Sequence, residues 1–222
     1  MGIFSIFSSG LSFEMMVILL GAWLIAITFA IVSHEFSHAW VANKMGDPTA
    51  RIAGRISFNP AKHLDWIGTL CLVVFGFGWA KPVPVNPTLF RNFRKGQVLV
   101  SIAGVVTNLV LGVVFTFLSV VAQLYFDSSI LILLFLQYLF FYTAIINYVL
   151  AIFNILPIYP LDGFSFLEAF LPYNNKFMMF MRKYGVIIML ILLLSTALNY
   201  VFDFVLQVFY YDLFDLFAMI FI

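Results

Sequence analysis

Charge is what this sequence lacks. Only 9% of its 222 residues are Asp, Glu, Lys or Arg, against about 25% in a typical soluble domain, while 64% are hydrophobic. A soluble fold of this length has no interior large enough for so much apolar side chain, so the excess must face lipid. Cysteine is nearly absent as well: Cys71 is the only one, which excludes an intrachain disulfide framework. No glycine pattern makes a dinucleotide fingerprint or a phosphate loop, no repeat or low-complexity tract appears, and no nucleic-acid partner is expected. The N-terminus carries no basic n-region, so no signal peptide is expected there. No polar insertion of domain length interrupts the chain, so it reads as a single membrane-embedded domain over 1–222, with its core at about 13–172 and C-terminal helices at about 174–222.

The basic residues are few but sorted. All 11 fall in two blocks: Lys44, Arg51, Arg55, Lys62, Lys81, Arg91, Arg94 and Lys95, then Lys176, Arg182 and Lys183. The positive-inside rule assigns both blocks to the cytoplasmic side. With roughly 20 apolar residues needed per span, the predicted helices are 13–42 running inward, 97–125 outward, 130–156 inward to a stop at Pro157, and 177–200 outward. The tail 201–222 carries Asp203, Asp212 and Asp215 among aromatics; it reads either as a fifth span or as an amphipathic helix in the outer interface.

The apolar segment 66–80 breaks this pattern. It is too short to span and has Lys62 before it and Lys81 after it, which predicts a re-entrant loop with both ends inside. Partial alternation over 51–58 and the prolines of 81–87 predict short strands on either side, paired as a small sheet. The expected fold is thus an all-α polytopic membrane protein of about four to five transmembrane helices, plus a re-entrant loop flanked by short β-strands.

Three of the few ionisable groups sit together at the inner end of the first predicted helix: His34, Glu35 and His38, an H-E-x-x-H sequence. On a helix the i, i+4 spacing stacks both imidazoles on one face. Two neutral imidazoles so placed supply half of a tetrahedral zinc site, and the glutamate between them is placed to act as general base. The bland alternative is a polar cap that snorkels at the interface, but ionisable groups at membrane depth are functional by default. A catalytic zinc takes a third protein ligand. Asp162 leads among the inner candidates, with Glu168, Asp65 and His63 behind it; the outer acids lie on the wrong side. Asp162 follows prolines that stop the preceding helix, and Gly163 permits a tight turn beside it. Asn154 and Asn108 are amides within apolar helices. Each could hold a substrate backbone or an oxyanion, or serve as interhelical glue. Gly104 and Gly112 read as sites of close helix packing.

The motifs HEFSH (34–38), FNPAKHLDWIGT (58–69), GWAKPVPVNP (78–87), SIAGVVTN (101–108) and NILPIYPLDG (154–163) make the chain resemble the site-2 proteases, the intramembrane zinc metalloproteases, in the form of a small prokaryotic member. The resemblance covers most of 28–170. It implies one zinc ion on His34, His38 and Asp162, with Glu35 activating water. It also implies Asn154 and Pro160 at the border of the substrate site, a substrate that is a transmembrane protein or peptide, and an active site inside the prokaryotic inner membrane facing the cytoplasm. The pattern departs where Val105, Tyr159 and Trp66 replace prolines common in the family, and neither a PDZ nor a CBS domain is seen. A substrate helix must unwind before cleavage, and an exposed strand edge near 51–58 or 81–87 would hold it by strand addition. The competing expectations are an inactive membrane scaffold, which predicts loss of Glu35 or a ligand, and a zinc-dependent transporter using the same ligands, which predicts polar groups along the whole membrane path.

Overall fold

The computed structural model of the protein describes residues 10–75 and 78–221. The N-terminus, where no signal peptide is expected, falls largely in residues 1–9 outside the described residues; positions 76 and 77 of the predicted re-entrant loop and position 222 of the tail lie outside them too. The chain runs through α1 (Phe13–Met45), two short helices α2 (Thr49–Ile52) and α3 (Trp66–Phe75), then α4 (Phe93–Tyr125), α5 (Leu131–Asn154), the short α6 (Asp162–Leu167) and α7 (Lys176–Leu194). A C-terminal helical run follows: α8 (Ala197–Phe204), a π-helical stretch (Val205–Tyr211) and α9 (Asp212–Ala218). Helices α1, α4, α5 and α7 are long and apolar enough to cross a membrane, so the protein is an integral membrane protein.

Small residues bring α1, α4 and α5 together. On α1, Ala22, Ala26, Ala30, His34, His38 and Ala42 recur every fourth position and are all buried. On α4, Gly96, Val100, Gly104, Asn108, Gly112, Thr116 and Val120 do the same. A four-residue repeat stays on one helix face, and small side chains let backbones approach where lipid leaves no hydrophobic drive between helices. A Cβ on Gly112 would stand 2.6 Å from Cδ1 of Tyr148 on α5. The metal-type histidines thus belong to the packing stripe itself.

Two capping devices end α1. Gly46 takes a left-handed conformation (φ 113°), and the amide of Asp47 reaches back to Ala42 O (3.0 Å), closing the last turn. The fully buried Asp47 then accepts from the amides of Thr49 (2.9 Å) and Asn86 (2.7 Å), tying the two ends of the 46–92 connection together.

The expected strands do not form: the described residues contain a single isolated bridge, Leu64 to Ala80, and no strand. The reason lies in where the backbone groups go. Pro82, Pro84 and Pro87 have no N–H to offer a ladder. Three of the amides that remain are taken by other acceptors, Lys81 N by His63 O (2.8 Å), Val83 N by Glu35 Oε2 (3.1 Å) and Asn86 N by Asp47 Oδ2. The carbonyls of Lys81 and Pro82 accept from Arg55 Nη2 (2.8 and 2.6 Å). On the other side, residues 51 and 52 end α2, and Gly54 turns the chain with φ 66°. No sheet edge therefore exists there to receive a substrate strand. The 66–80 segment nevertheless leaves and returns at one place, since the Leu64–Ala80 bridge and the Lys81–His63 bond join its two ends.

Beyond α6, the elements separate. Of α7 only Met178 and Gly185 are buried, with Gly185 set against the backbone of Tyr159. The C-terminal run lies lengthwise on α4 and α5. Its ring pairs follow in order: Phe209 with Tyr148 (5.4 Å), Tyr210 with Phe141 (5.1 Å), Phe217 with Phe117 (5.5 Å), and Phe221 with Tyr125 (6.0 Å).

Candidate metal centre

Helix α1 holds His34 and His38 one turn apart, both buried. Each ring is anchored through Nδ1 to α4: His38 to the carbonyl of Val100 (2.7 Å), His34 to Oδ1 of Asn108 (2.5 Å). A backbone carbonyl only accepts, so His38 Nδ1 carries the hydrogen and its Nε2 presents a lone pair. The two Nε2 atoms are 3.0 Å apart, and Asp162 Oδ2 lies 3.2 Å from each. These ligand atoms all fall within 4.8 Å of one another. Asp162 Oδ2 is buried and has no hydrogen-bond partner. Ring lone pairs and a carboxylate oxygen crowded this way repel one another unless a cation lies among them, and two imidazoles with one carboxylate are a zinc donor set. The residues therefore fit the ion that the sequence pattern implies.

Asp162 reaches this point because the chain folds tightly beneath α5. It opens α6 immediately after Leu161. A Cβ on Gly163 would strike the carbonyl oxygens of Ile155 and Leu156, the latter at 2.5 Å, so only glycine lets α6 tuck under the end of α5. From α4, Gln97 Nε2 donates to Ser165 O (2.9 Å) and Arg94 Nε to Ala169 O (3.2 Å), which fixes α6 in place. To act as a ligand beside two neutral imidazoles, Asp162 must be a carboxylate.

The other candidates for third ligand are engaged elsewhere. His63 is fully buried and bonds Ser57 O through Nε2 (2.7 Å). Asp65 Oδ1 accepts from Gly68 N (2.8 Å) at the start of α3. Glu168 pairs with Arg182 Nη2 (2.8 Å). Glu35 is half-buried, with its carboxylate accepting from the Val83 amide (3.1 Å). Asn108 is fully buried; Oδ1 meets His34 and Nδ2 donates to Asn147 Oδ1 (2.7 Å). That leaves it no atom for a substrate. Asn154 is half-buried at the end of α5, its Nδ2 donating to Leu150 O (3.0 Å), and Pro160 is exposed two residues before Asp162.

Three residues at the site escape sequence reasoning in this role. Gly104 lies directly against the ligands: a Cβ there would stand 2.5 Å from both His34 Nδ1 and His38 Nε2. Asn147 contacts Asn108, and its only signal is an amide inside an apolar run. Arg55 fixes the backbone next to Val83, and nothing in the sequence separates it from the other loop cations.

Comparison with known proteins identifies the family. The pattern of Peptidase family M50 matches residues 127–195, a span that contains Asp162. The Bacillus subtilis (strain 168) protein named "Putative zinc metalloprotease YwhC" is 40% identical over 185 residues, covering 80% of this chain and 82% of that protein. "Putative zinc metalloprotease Rip2" of Mycolicibacterium smegmatis (strain ATCC 700084 / mc(2)155) is 31% identical over 193 residues, covering 82% and 69%. Rip2 of Mycobacterium tuberculosis (strain ATCC 25618 / H37Rv), with the same printed name, is 27% identical over 196 residues at the same coverage. No solved structure gives a significant match. Identity and coverage of this extent place the chain in peptidase family M50: it is a zinc metalloprotease of the site-2 protease type.

Proposed function

We propose that this protease hydrolyses peptide bonds in or beside transmembrane segments of membrane proteins, with one zinc ion held by His34, His38 and Asp162 and with Glu35 as general base. The observation that carries the reading is the convergence of three buried ligand atoms within 4.8 Å among apolar helices. A centre built there meets its substrate inside or at the edge of the bilayer.

Zinc at this site supplies a Lewis acid for the scissile carbonyl and lowers the pKa of water to about 7. The chain's own residues do the rest. Glu35, next to His34 on the helix, takes the proton of the attacking water and returns it to the leaving amine. The Val83 amide holds the Glu35 carboxylate from one side, leaving its other oxygen for the water. Asn154 and Pro160 border the path by which an unwound substrate approaches Asp162. The basic residues of the 46–92 connection follow directly on the histidine end of α1, which supports a centre facing the cytoplasm of a prokaryotic inner membrane.

The test is zinc content by mass spectrometry, run beside cleavage of a reconstituted transmembrane substrate and of a soluble peptide. Wild type is expected to hold about one zinc per chain, which His34→Ala and Asp162→Ala lose. Glu35→Gln is expected to keep zinc and lose about 10²–10⁴-fold in cleavage. Full zinc in Asp162→Ala would remove the third ligand, wild-type cleavage by Glu35→Gln would remove the base, and preference for the soluble peptide would remove the intramembrane substrate.

A further inference from the structure

The two ligand histidines are oriented by different means. His38 leans on a backbone carbonyl, Val100 O, which cannot present a donor. His34 leans on a side-chain amide, Asn108. An amide can present either end. With Oδ1 toward the ring, His34 Nδ1 must carry the hydrogen and Nε2 is a free lone pair. With Nδ2 toward the ring, Nδ1 becomes the acceptor, and the hydrogen moves to Nε2, where it points at Asp162 and blocks the metal. Asn108 alone leaves this choice open.

A second buried amide closes it. Asn147 on α5 is fully buried, as is Asn108. Its Nδ2 donates to Thr143 O, one turn back on its own helix (2.7 Å). A carbonyl oxygen only accepts, so that contact fixes which end of Asn147 is the NH₂. Oδ1 of Asn147 is therefore the atom that faces Asn108, and it accepts from Asn108 Nδ2 at 2.7 Å. Ala30 O, a further acceptor 3.5 Å from the same Nδ2, favours the same orientation. Oδ1 of Asn108 is left for His34. Each link has one permitted direction, from a carbonyl of α5 through an amide of α4 to a ring on α1.

We propose that Asn147 is a positioning residue for zinc binding: through Asn108 it fixes the Nδ1–H tautomer of His34, so that Nε2 is presented to the metal. This rests on the reading of His34 as a zinc ligand. The rival role is interhelical glue, which would stabilise the bundle with or without metal. Outer partners of ligating histidines typically change metal affinity 10–100-fold when removed, and that sets the expected size.

The experiment measures zinc affinity of the full-length protein in detergent by competition with a chromogenic chelator, and the visible absorption of the cobalt-loaded protein. The variants are Asn147→Leu, Asn147→Ser, Asn108→Leu, the Asn147→Leu/Asn108→Leu double variant, and His34→Ala. Asn147→Ser keeps a small hydroxyl that can reach Thr143 O but not Asn108, so it tests the relay even where leucine disturbs folding. Both Asn147 variants are expected to bind zinc roughly 10–100-fold more weakly and to shift the cobalt bands. The double variant is expected to bind no more weakly than Asn108→Leu, because Asn147 acts only through Asn108. Wild-type affinity and cobalt bands in both Asn147 variants, with His34→Ala losing zinc, would overturn the relay alone. Losses that add in full in the double variant would overturn it as well. Wild-type affinity in His34→Ala would instead overturn the ligand assignment beneath it.

Discussion

At the scale of single residues, Gly104 makes the sharpest demand on the site. Its missing side chain is the space in which the imidazoles of His34 and His38 sit, and a methyl group there would lie 2.5 Å from a nitrogen of each. Overpacking of this kind costs about 1–3 kcal/mol, or roughly 5- to 150-fold in zinc affinity if the rings yield rather than the helices. Gly104→Ala is therefore expected to weaken zinc binding within that range in the chelator competition, while Gly112→Ala, which presses on Tyr148 instead, lowers thermal stability with zinc affinity near wild type. Equal zinc affinity in Gly104→Ala and wild type would mean that the rings are held from elsewhere. The candidate ligands that the structure brings together were legible in the sequence, because H-E-x-x-H on a helix has few other uses at membrane depth and Asp162 carries a recognisable proline-glycine surround. The partners of those ligands were not. Asn108 and His34 are 74 positions apart, and no local spacing tells which of several buried amides faces a ring. Gly104 was legible as a packing glycine, but what packs against it is set by the register between α1 and α4.

At the scale of elements, the 81–87 stretch explains both a misreading and a function. Partial alternation near 51–58 and extended prolines suggested a sheet, since hydrophobic period and φ preference are all that a sequence displays. Hydrogen-bond destinations are invisible there, and in the folded chain Arg55, Glu35, Asp47 and the His63 carbonyl claim the groups a ladder would use. Arg55 is 5% exposed and holds two successive carbonyls, those of Lys81 and Pro82, just before the amide that grips Glu35. Removing it leaves the carbonyls of Lys81 and Pro82 without the side chain that holds them and frees the Val83 amide to drift. Arg55→Ala is expected to retain zinc while lowering kcat by roughly tenfold, the size of a 1.4 kcal/mol change in the barrier. Arg55→Lys should restore little, because a point-charge ammonium does not reproduce the planar fork. Zinc content and cleavage measured on the same preparation check this. Loss of zinc along with activity would show that the loop supports the ligands and not Glu35 alone.

At the scale of the whole molecule, the order of contacts sets the direction of each helix. The histidine end of α1, the start of α4 and the end of α5 gather at the metal centre, because Gly104 meets the ligand rings, Gln97 meets Ser165, and Asp162 follows α5. Helix α7 begins at that same end, where Arg182 pairs with Glu168 and Gly185 backs onto Tyr159. The C-terminal run then passes Tyr148, Phe141 and Phe117 and reaches Tyr125, so it heads away from the centre, as α4 does. With α7 starting at that end and the following run heading away from it, no crossing of the bilayer is expected between them. Residues 184–194 after Lys183 extend only about 16 Å as helix, about half of the hydrocarbon thickness. Hydropathy, which measures length and composition, makes α7 a candidate crossing, whereas the contacts of its first half favour one side. The expectation is that α7 stays on the side of the metal centre and that the C-terminal run is the element that crosses. In a Cys71→Ser background, single cysteines at Lys95, Ser195, Asp127 and Phe221 can be probed with a membrane-impermeant maleimide on intact and permeabilised cells. Lys95→Cys and Ser195→Cys should label only after permeabilisation, and Asp127→Cys and Phe221→Cys in intact cells. Labelling of Ser195→Cys together with Asp127→Cys would make α7 a true span. Labelling of Lys95→Cys in intact cells would instead invert the whole molecule and turn its zinc end outward.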